Sequence, residues 1–245
     1  MDDLLGLVPT RADIARDYPN KWSWLQLKQF VDSGDLGLLK RHPRLQVVCD
    51  QWYDVVRARH GSLPAYLVNV RLGWGNLPPP PRGEFFSASS AGDLWKILPN
   101  DWPYSVPPEI EHALVWTRLP IIDPSRVPPH IRPRIDVCGI WGFTGGAHLE
   151  LLQAPPLGPE AQARVDKWLG TGDEAAEVRE AVRVAGEEVG AFVRAHWPED
   201  EWETAWFVNP PRLQSIPGLA HAHVFAKRQG VTPTDPAPEP EPASS

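Results

Sequence analysis

Proline stands at 29 of the 245 positions, and each proline fixes its own φ and withdraws a backbone hydrogen-bond donor. Regular elements must therefore fit between proline-shaped loops such as "LPPPPRGEFFSASSAGD" (77–93), "PNDWPY" (99–104) and "PPHIRPR" (128–134). The 12 tryptophans are spread from Trp22 to Trp206. That spread points to a core built on aromatic packing, since a single sugar-stacking platform would use only a few of them.

Between the loops, apolar periodicity picks out the elements. Trp24, Leu27, Phe30 and Val31 recur at helical spacing, the pattern breaks at "DSGD", and Leu45, Val48, Cys49, Trp52, Val55 and Val56 form a second stripe ending at Gly61. Residues 21–61 read as a helical hairpin. "AYLVNVRLGW" (65–74) fits either a strand or a short helix. In "DEAAEVREAVRVAGEEVGAFVRAHW" (173–197), Val178, Val182, Ala185, Val189, Phe192 and His196 share one stripe. Glu177, Glu180, Glu187 and Glu188 fall off it, and Asp173 is placed to cap, so one amphipathic helix is expected. Strands are expected around His112–Arg118 and in "DVCGIWGF", "WETAWFVN" and "HAHVFAKR".

The expected organisation is a partly ordered lead over 1–20, a single α+β domain over 21–228 with its core at 98–228, and a disordered Pro/Glu/Ser tail over 229–245. The fold class is α+β: an antiparallel sheet with packed helices, plus the N-terminal helical extension.

A net charge of −7 gives no general attraction to nucleic acid or to an anionic membrane, so an anionic substrate would need a local cluster of Arg, Lys or backbone amides. The opening residues, with early acids and an early proline, read as neither secretory signal nor transit peptide. No stretch is long and apolar enough to cross a bilayer. The only cysteines are Cys49 and Cys138, which suits buried thiols in a reducing cytosolic or nuclear setting. A P-loop, a CxxC pair and a GxSxG elbow are all absent from the sequence.

Chemistry concentrates in "FVNPPRLQSIPGLAHAHVFAKR" (207–228). On an extended strand His221 and His223 point to the same face. Three chemistries use such a pair: metal ligation with a third ligand elsewhere, nucleophilic attack on phosphorus, and general acid/base work. Asn209, Arg212, Gln214 and Ser215 precede the pair in a proline-fixed loop, a candidate oxyanion or phosphate cradle. His112, after a proline turn, is a candidate substrate contact. Asn100 and Asp101 read either as turn caps or as pocket-rim residues, and His42, His60, His130, His148 and His196 as structural. No cofactor is expected, with a divalent metal on His112, His221 and His223 as the alternative.

Two resemblances follow from these residues. "WSWLQLKQFVDSGDLGLLKR", "AYLVNVRLGW", "PNDWPYSVPPEIEHALVWTRLPI" and "FVNPPRLQSIPGLAHAHVF" together resemble the fungal N-acetylglucosamine-induced protein family, a domain of unknown function. That resemblance implies a fungal, cytosolic or nuclear protein and no particular reaction. The order of a "HALVW" strand, a long amphipathic helix, "FVN" and "QS…HAHV" is similar to the histidine-triad superfamily of nucleotide hydrolases and transferases. It implies His221 as nucleophile, His223 as its neighbour, Gln214 and Ser215 as phosphate and leaving-group donors, Asn209 as a phosphate or ribose contact and His112 as a pocket residue. Leu219 stands where the first triad histidine would be. The implied function is an enzyme, a nucleotidyl hydrolase or transferase, acting on a nucleotide or nucleotide-sugar phosphoester. A metal-dependent enzyme using the His221 and His223 pair, and a non-catalytic sugar- or nucleotide-binding protein linked to an amino-sugar response, are the alternatives; the expected partner is a small phosphorylated or sugar ligand.

Overall fold

A computed structural model describes residues 3–154, 158–214, 216 and 218–236. The N-terminal helices are α1 (Arg11–Asp17), α2 (Trp24–Asp32), α3 (Pro43–His60) and α4 (Leu63–Tyr66), the last continued by a wider π-type turn over Leu67–Arg71. Local chemistry sets their ends. Thr10 with Asp13, and Ser23 with Gln26, form capping boxes, in which each partner satisfies an otherwise orphaned backbone donor. Pro43 opens α3, and Gly61 closes it at φ 78°, a conformation that glycine adopts without a Cβ penalty. "AYLVNVRLGW" is thus helical through Arg71.

The remaining elements are β1 (Trp95–Pro99), β2 (Glu111–Thr117), α5 (Arg132–Cys138), β3 (Ile140–Thr144), α6 (Leu149–Gln153), α7 (Pro159–Leu169), α8 (Gly172–Ala185), α9 (Glu187–His196), β4 (Trp202–Val208) and β5 (Ala220–Arg228). The strands form one antiparallel sheet in the order β1-β2-β5-β4-β3. The protein is α+β, an antiparallel sheet with packed helices.

Two local expectations are corrected. The stretch 173–197 is two helices, broken at Gly186, and the position preceding α8 is Thr171 rather than Asp173. Packing accounts for a glycine at this point: a Cβ at Gly186 would stand 2.6 Å from Trp206 Cη2, so the indole of β4 fills the space that a side chain there would need. In "DVCGIWGF" only the part from Ile140 is strand; Asp136–Cys138 complete α5, and Gly139 turns the chain at φ 79°. Strand β1 carries no clear alternation of apolar and polar residues, and pairing with β2 defines it.

Register divides the sheet into two faces. Ala222, Val224 and Ala226 of β5 align with Val115 and Ala113 of β2 and with Trp206 and Val208 of β4. This face packs on the buried stripe of α8 and α9, with Phe192 in edge-on contact with Trp95. The opposite face carries His221, His223, Phe225 and Lys227 of β5, His112, Leu114 and Trp116 of β2, Phe207 of β4 and Leu98 of β1. The N-terminal segment covers it in two parts. Helix α2 lies over the β3–β4 side, where Trp24 Nε1 donates to Glu203 and Lys227 pairs with Glu203 at 2.9 Å. Over the β1–β2–β5 side, Trp52 and Val56 of α3, with Tyr66 and Leu67, form a second apolar cluster with Trp102, Leu114 and Trp116. Beyond β5, Thr234 is held by Glu109, through both its backbone N–H and its hydroxyl. Residues 237–245 of the expected tail lie outside the described residues.

Candidate functional site

The period of two in β5 places the rings of His221 and His223 5.2 Å apart. The antiparallel register then sets Trp116 across from His221 and His112 diagonally beside His223. His112, 111 positions away in sequence, brings its Nε2 to 3.0 Å from His223 Nδ1.

Proton positions in this chain follow from a single fixed donor. The backbone N–H of Tyr104 can only donate, so His112 Nδ1 accepts it at 3.2 Å, while Asn100 Nδ2 lies beside the ring, 3.4 Å from Nδ1 and 3.3 Å from Nε2. Neutral His112 therefore carries its proton on Nε2 and donates to His223 Nδ1. His223 is left with its proton on Nε2, 3.2 Å from the Asn209 side-chain amide. A half-turn of that amide presents its oxygen as the acceptor that this direction requires. Both rings are buried, and burial holds both pKa values well below the usual histidine value; the Arg41 guanidinium adds to the effect for His112, and His221, His112 and Arg41 add to it for His223. Neutrality is thus the state that the chain of hydrogen bonds needs. Phe207 and Tyr104 lie nearly parallel to the His223 ring, at 4.7 and 5.4 Å.

His221 differs. Its Nδ1 faces the Leu219 carbonyl at 2.9 Å, and a carbonyl only accepts, so the proton sits on Nδ1 and the lone pair on Nε2. Burial lowers its pKa, opposed by that same bond to Leu219. Trp116 packs against the ring at 4.4 Å.

In front of the pair is a cavity of about 500 Å³ between this face of the sheet and the α3–α4 cover, a size suited to a small-molecule ligand. His221, His223, Asn209 and Tyr104 line one wall, Trp52, Trp102 and Trp116 supply aromatic surface, and Lys40, Arg41 and Arg71 supply positive charge. Asp101 neutralises Arg71 at 2.7 Å. Arg41 donates to the Trp102 carbonyl and to Gln46. No ion pair of Lys40 or Arg41 occurs among the described residues.

The expected site residues separate in space. His221, His223 and Asn209 line the cavity together. His112 stands behind His223, stacked on Phe225 at 4.1 Å, and acts on the cavity through that neighbour. Gln214 donates to the Asn209 carbonyl and lines a second cavity that also contains Trp74, Arg118 and Leu219. Arg212 is directed elsewhere: it donates to the Val137 carbonyl, with its guanidinium 4.2 Å over Trp168. Ser215 lies outside the described residues. Asn100 and Asp101 are both cap and wall, since Asn100 Oδ1 accepts from Trp102 N and both residues line the cavity.

The alternative metal set of His112, His221 and His223 is not assembled. His112 and His223 turn nitrogens on each other, and among the described residues no group of three or more His, Cys, Asp or Glu could hold a metal ion. Sequence reasoning missed Arg41, Lys40 and Tyr104. The available signal was the adjacent Lys40-Arg41 pair just ahead of the His-Pro start of α3, in a chain that is otherwise acidic. No helix among the described residues is long and apolar enough to cross a membrane.

Residues 23–135, which run from the start of α2 into α5 and so include the cavity's cover and β1–β2, match a family described as "Protein of unknown function (DUF3605)". Over 221 residues the chain is 26% identical to an uncharacterized protein of Saccharomyces cerevisiae, YPL067C, covering 88% of this chain and 85% of the yeast protein. A crystal structure of HTC1 superimposes with a TM-score of 0.46 at 24% identity, covering 83% of this chain and 84% of that one. The chain is therefore similar to proteins of undefined function with a yeast relative, in keeping with the expected fungal family of unknown function.

Proposed function

We propose that this protein is a phosphoester hydrolase or transferase whose cavity takes a nucleotide-type phosphoester and whose nucleophile is His221. One observation carries the reading. His221 commits Nδ1–H to the Leu219 carbonyl, and among the described residues no hydrogen bond engages Nε2, in a residue that lines a cavity together with Arg41 and Lys40, neither of which has a carboxylate partner among the described residues. A neutral imidazole with one nitrogen anchored and the other free is the form that attacks phosphorus.

In the first step Nε2 bonds to phosphorus as the bond to the leaving oxygen breaks, and that oxygen takes up a proton. In the second, water attacks the phosphorus of the phosphoimidazole, gives up its proton, and releases His221 as neutral imidazole. With an alcohol or amine in place of water the net reaction is transfer. Half-buried Arg41 neutralises phosphate charge where a partly desolvated charge acts strongly, and Lys40, exposed to solvent, adds a weaker, screened contribution. The His112–His223–Asn209 chain holds the adjoining wall in one protonation state.

The test is turnover of a panel of nucleoside phosphoesters and nucleotide sugars, with quenching in alkaline denaturant to trap protein-bound phosphate. Wild type is expected to turn over at least one ester and to show an acid-labile phosphohistidine, and His221→Ala to lose both. Equal turnover by His221→Ala, or no turnover of any member, overturns the reading.

A further inference from the structure

The polar side chains that line the cavity are largely engaged with one another. Gln46 accepts from Arg41 and donates to Asp50, Asn100 accepts from Trp102 N and approaches His112, and Asn209 meets His223. Asp101 takes Arg71 on both oxygens, and the hydroxyls of Tyr53 and Tyr104 interact with Cys49 and Asn209. Among the described residues, the groups without a partner are mostly donors: the Lys40 ammonium, the outer N–H groups of Arg41, and the buried indole N–H of Trp102. Among the described residues, His221 Nε2 is a lining acceptor with no hydrogen bond. Much of the rest of the wall is apolar, including Leu36, Leu39, Leu63, Leu67 and Leu98.

A sugar or other polyol brings several O–H donors, and each one buried without an acceptor costs on the order of 1–3 kcal/mol. A phosphate oxygen only accepts, and an alkyl or aryl body asks for no hydrogen bonds and gains from burial. The cavity therefore suits a ligand with an acceptor-only head and an apolar body.

We infer that the group entering this cavity is an alkyl, acyl or aryl phosphoester, its phosphate on Arg41, Lys40 and His221 and its body against the tryptophan and leucine wall, and that sugar phosphates are excluded. This rests on the phosphoester reading above and narrows it: in a nucleotidyl substrate, the apolar group would be the one joined to the nucleotide through phosphorus.

The experiment is calorimetric titration of the full chain with 1-naphthyl phosphate, octyl phosphate, glucose 6-phosphate and glucosamine 6-phosphate, alongside turnover of each. The two apolar esters should bind at least tenfold more tightly than either sugar phosphate, and Arg41→Met should weaken their binding at least tenfold while its thermal unfolding stays cooperative. If that variant misfolds, the wild-type affinity ratio still decides. Equal or tighter binding of a sugar phosphate, or binding of none of the four, overturns the inference. An apolar preference without turnover would instead break only the catalytic reading, and His221-dependent turnover of the sugar esters without that preference would break only this one.

Discussion

The two faces of the sheet are made by the same strands and do different work. On one, Val224, Trp206 and Val115 meet the apolar stripe of α8 and α9. On the other, every second residue of β5 is His221, His223, Phe225 and Lys227, roofed by the N-terminal helices over a cavity. Alternation lets one strand serve both, because residues one apart never share a face. The apolar face tolerates no gaps and holds the fold. The polar face holds an aligned hydrogen-bond chain and an open space, and it is expected to give up some stability to do so.

If that division is right, the largest losses should come from the apolar face. Phe192, 1% exposed and packed on Phe86 and Trp95, should cost about 3–5 kcal/mol on truncation to Ala, read by urea unfolding, with ligand binding by the remaining folded protein unchanged. A loss below about 1 kcal/mol would break the comparison.

Gly142→Ala comes next. A Cβ there would stand 2.5 Å from Trp206 Cζ2, and overpacking of this kind costs about 1–3 kcal/mol. Pairing it with Trp206→Leu should recover part of the loss in a double-mutant cycle; strict additivity would show that the indole is not the obstacle.

The polar face can be divided further. His223→Ala strands the His112 Nε2–H and the Asn209 amide, which should cost about 1–3 kcal/mol. His221→Ala loses one bond to a carbonyl and should cost about 1 kcal/mol, yet abolish the turnover proposed above. If the two ranked the other way in stability, His221 would be the structural member of the pair.

Acidity gives the smallest and most specific test. Burial lowers the folded pKa of His112, His221 and His223, so below about pH 6.5 the unfolded chain takes up protons that the native state refuses. Stability is therefore lost as pH falls from 6.5 toward those lowered values, by at most about 1.4 kcal/mol per pH unit for each such proton. Melting temperatures measured between pH 7.5 and 5.5 should fall more steeply for wild type than for His223→Gln. Equal slopes would mean that His223 takes up its proton as readily in the folded as in the unfolded chain, against the lowered pKa.

Much of this architecture was legible from local pattern. The strands β2, β4 and β5, the separate helices α2 and α3 and the shared face of His221 and His223 all follow from periodicity that each segment carries within itself; that α2 and α3 cover different parts of the sheet does not. The packing that requires glycine at 186 was not legible, because it comes from an indole of β4. Strand β1 also escaped, since pairing with β2 defines it.

The candidate site divides the same way. The sequence by itself determined that two imidazoles stand side by side on one face of a strand, because a period of two is a property of the backbone. Only the tertiary structure decided that His112 completes their hydrogen-bond chain from 111 positions away, that Arg212 turns to Val137 and Trp168 instead, and that Arg41 and Lys40 reach the cavity from the N-terminal segment. Those outcomes depend on strand register and on which helix covers which face. Both are fixed by contacts between distant segments that bury apolar surface together, and no single segment's pattern encodes them.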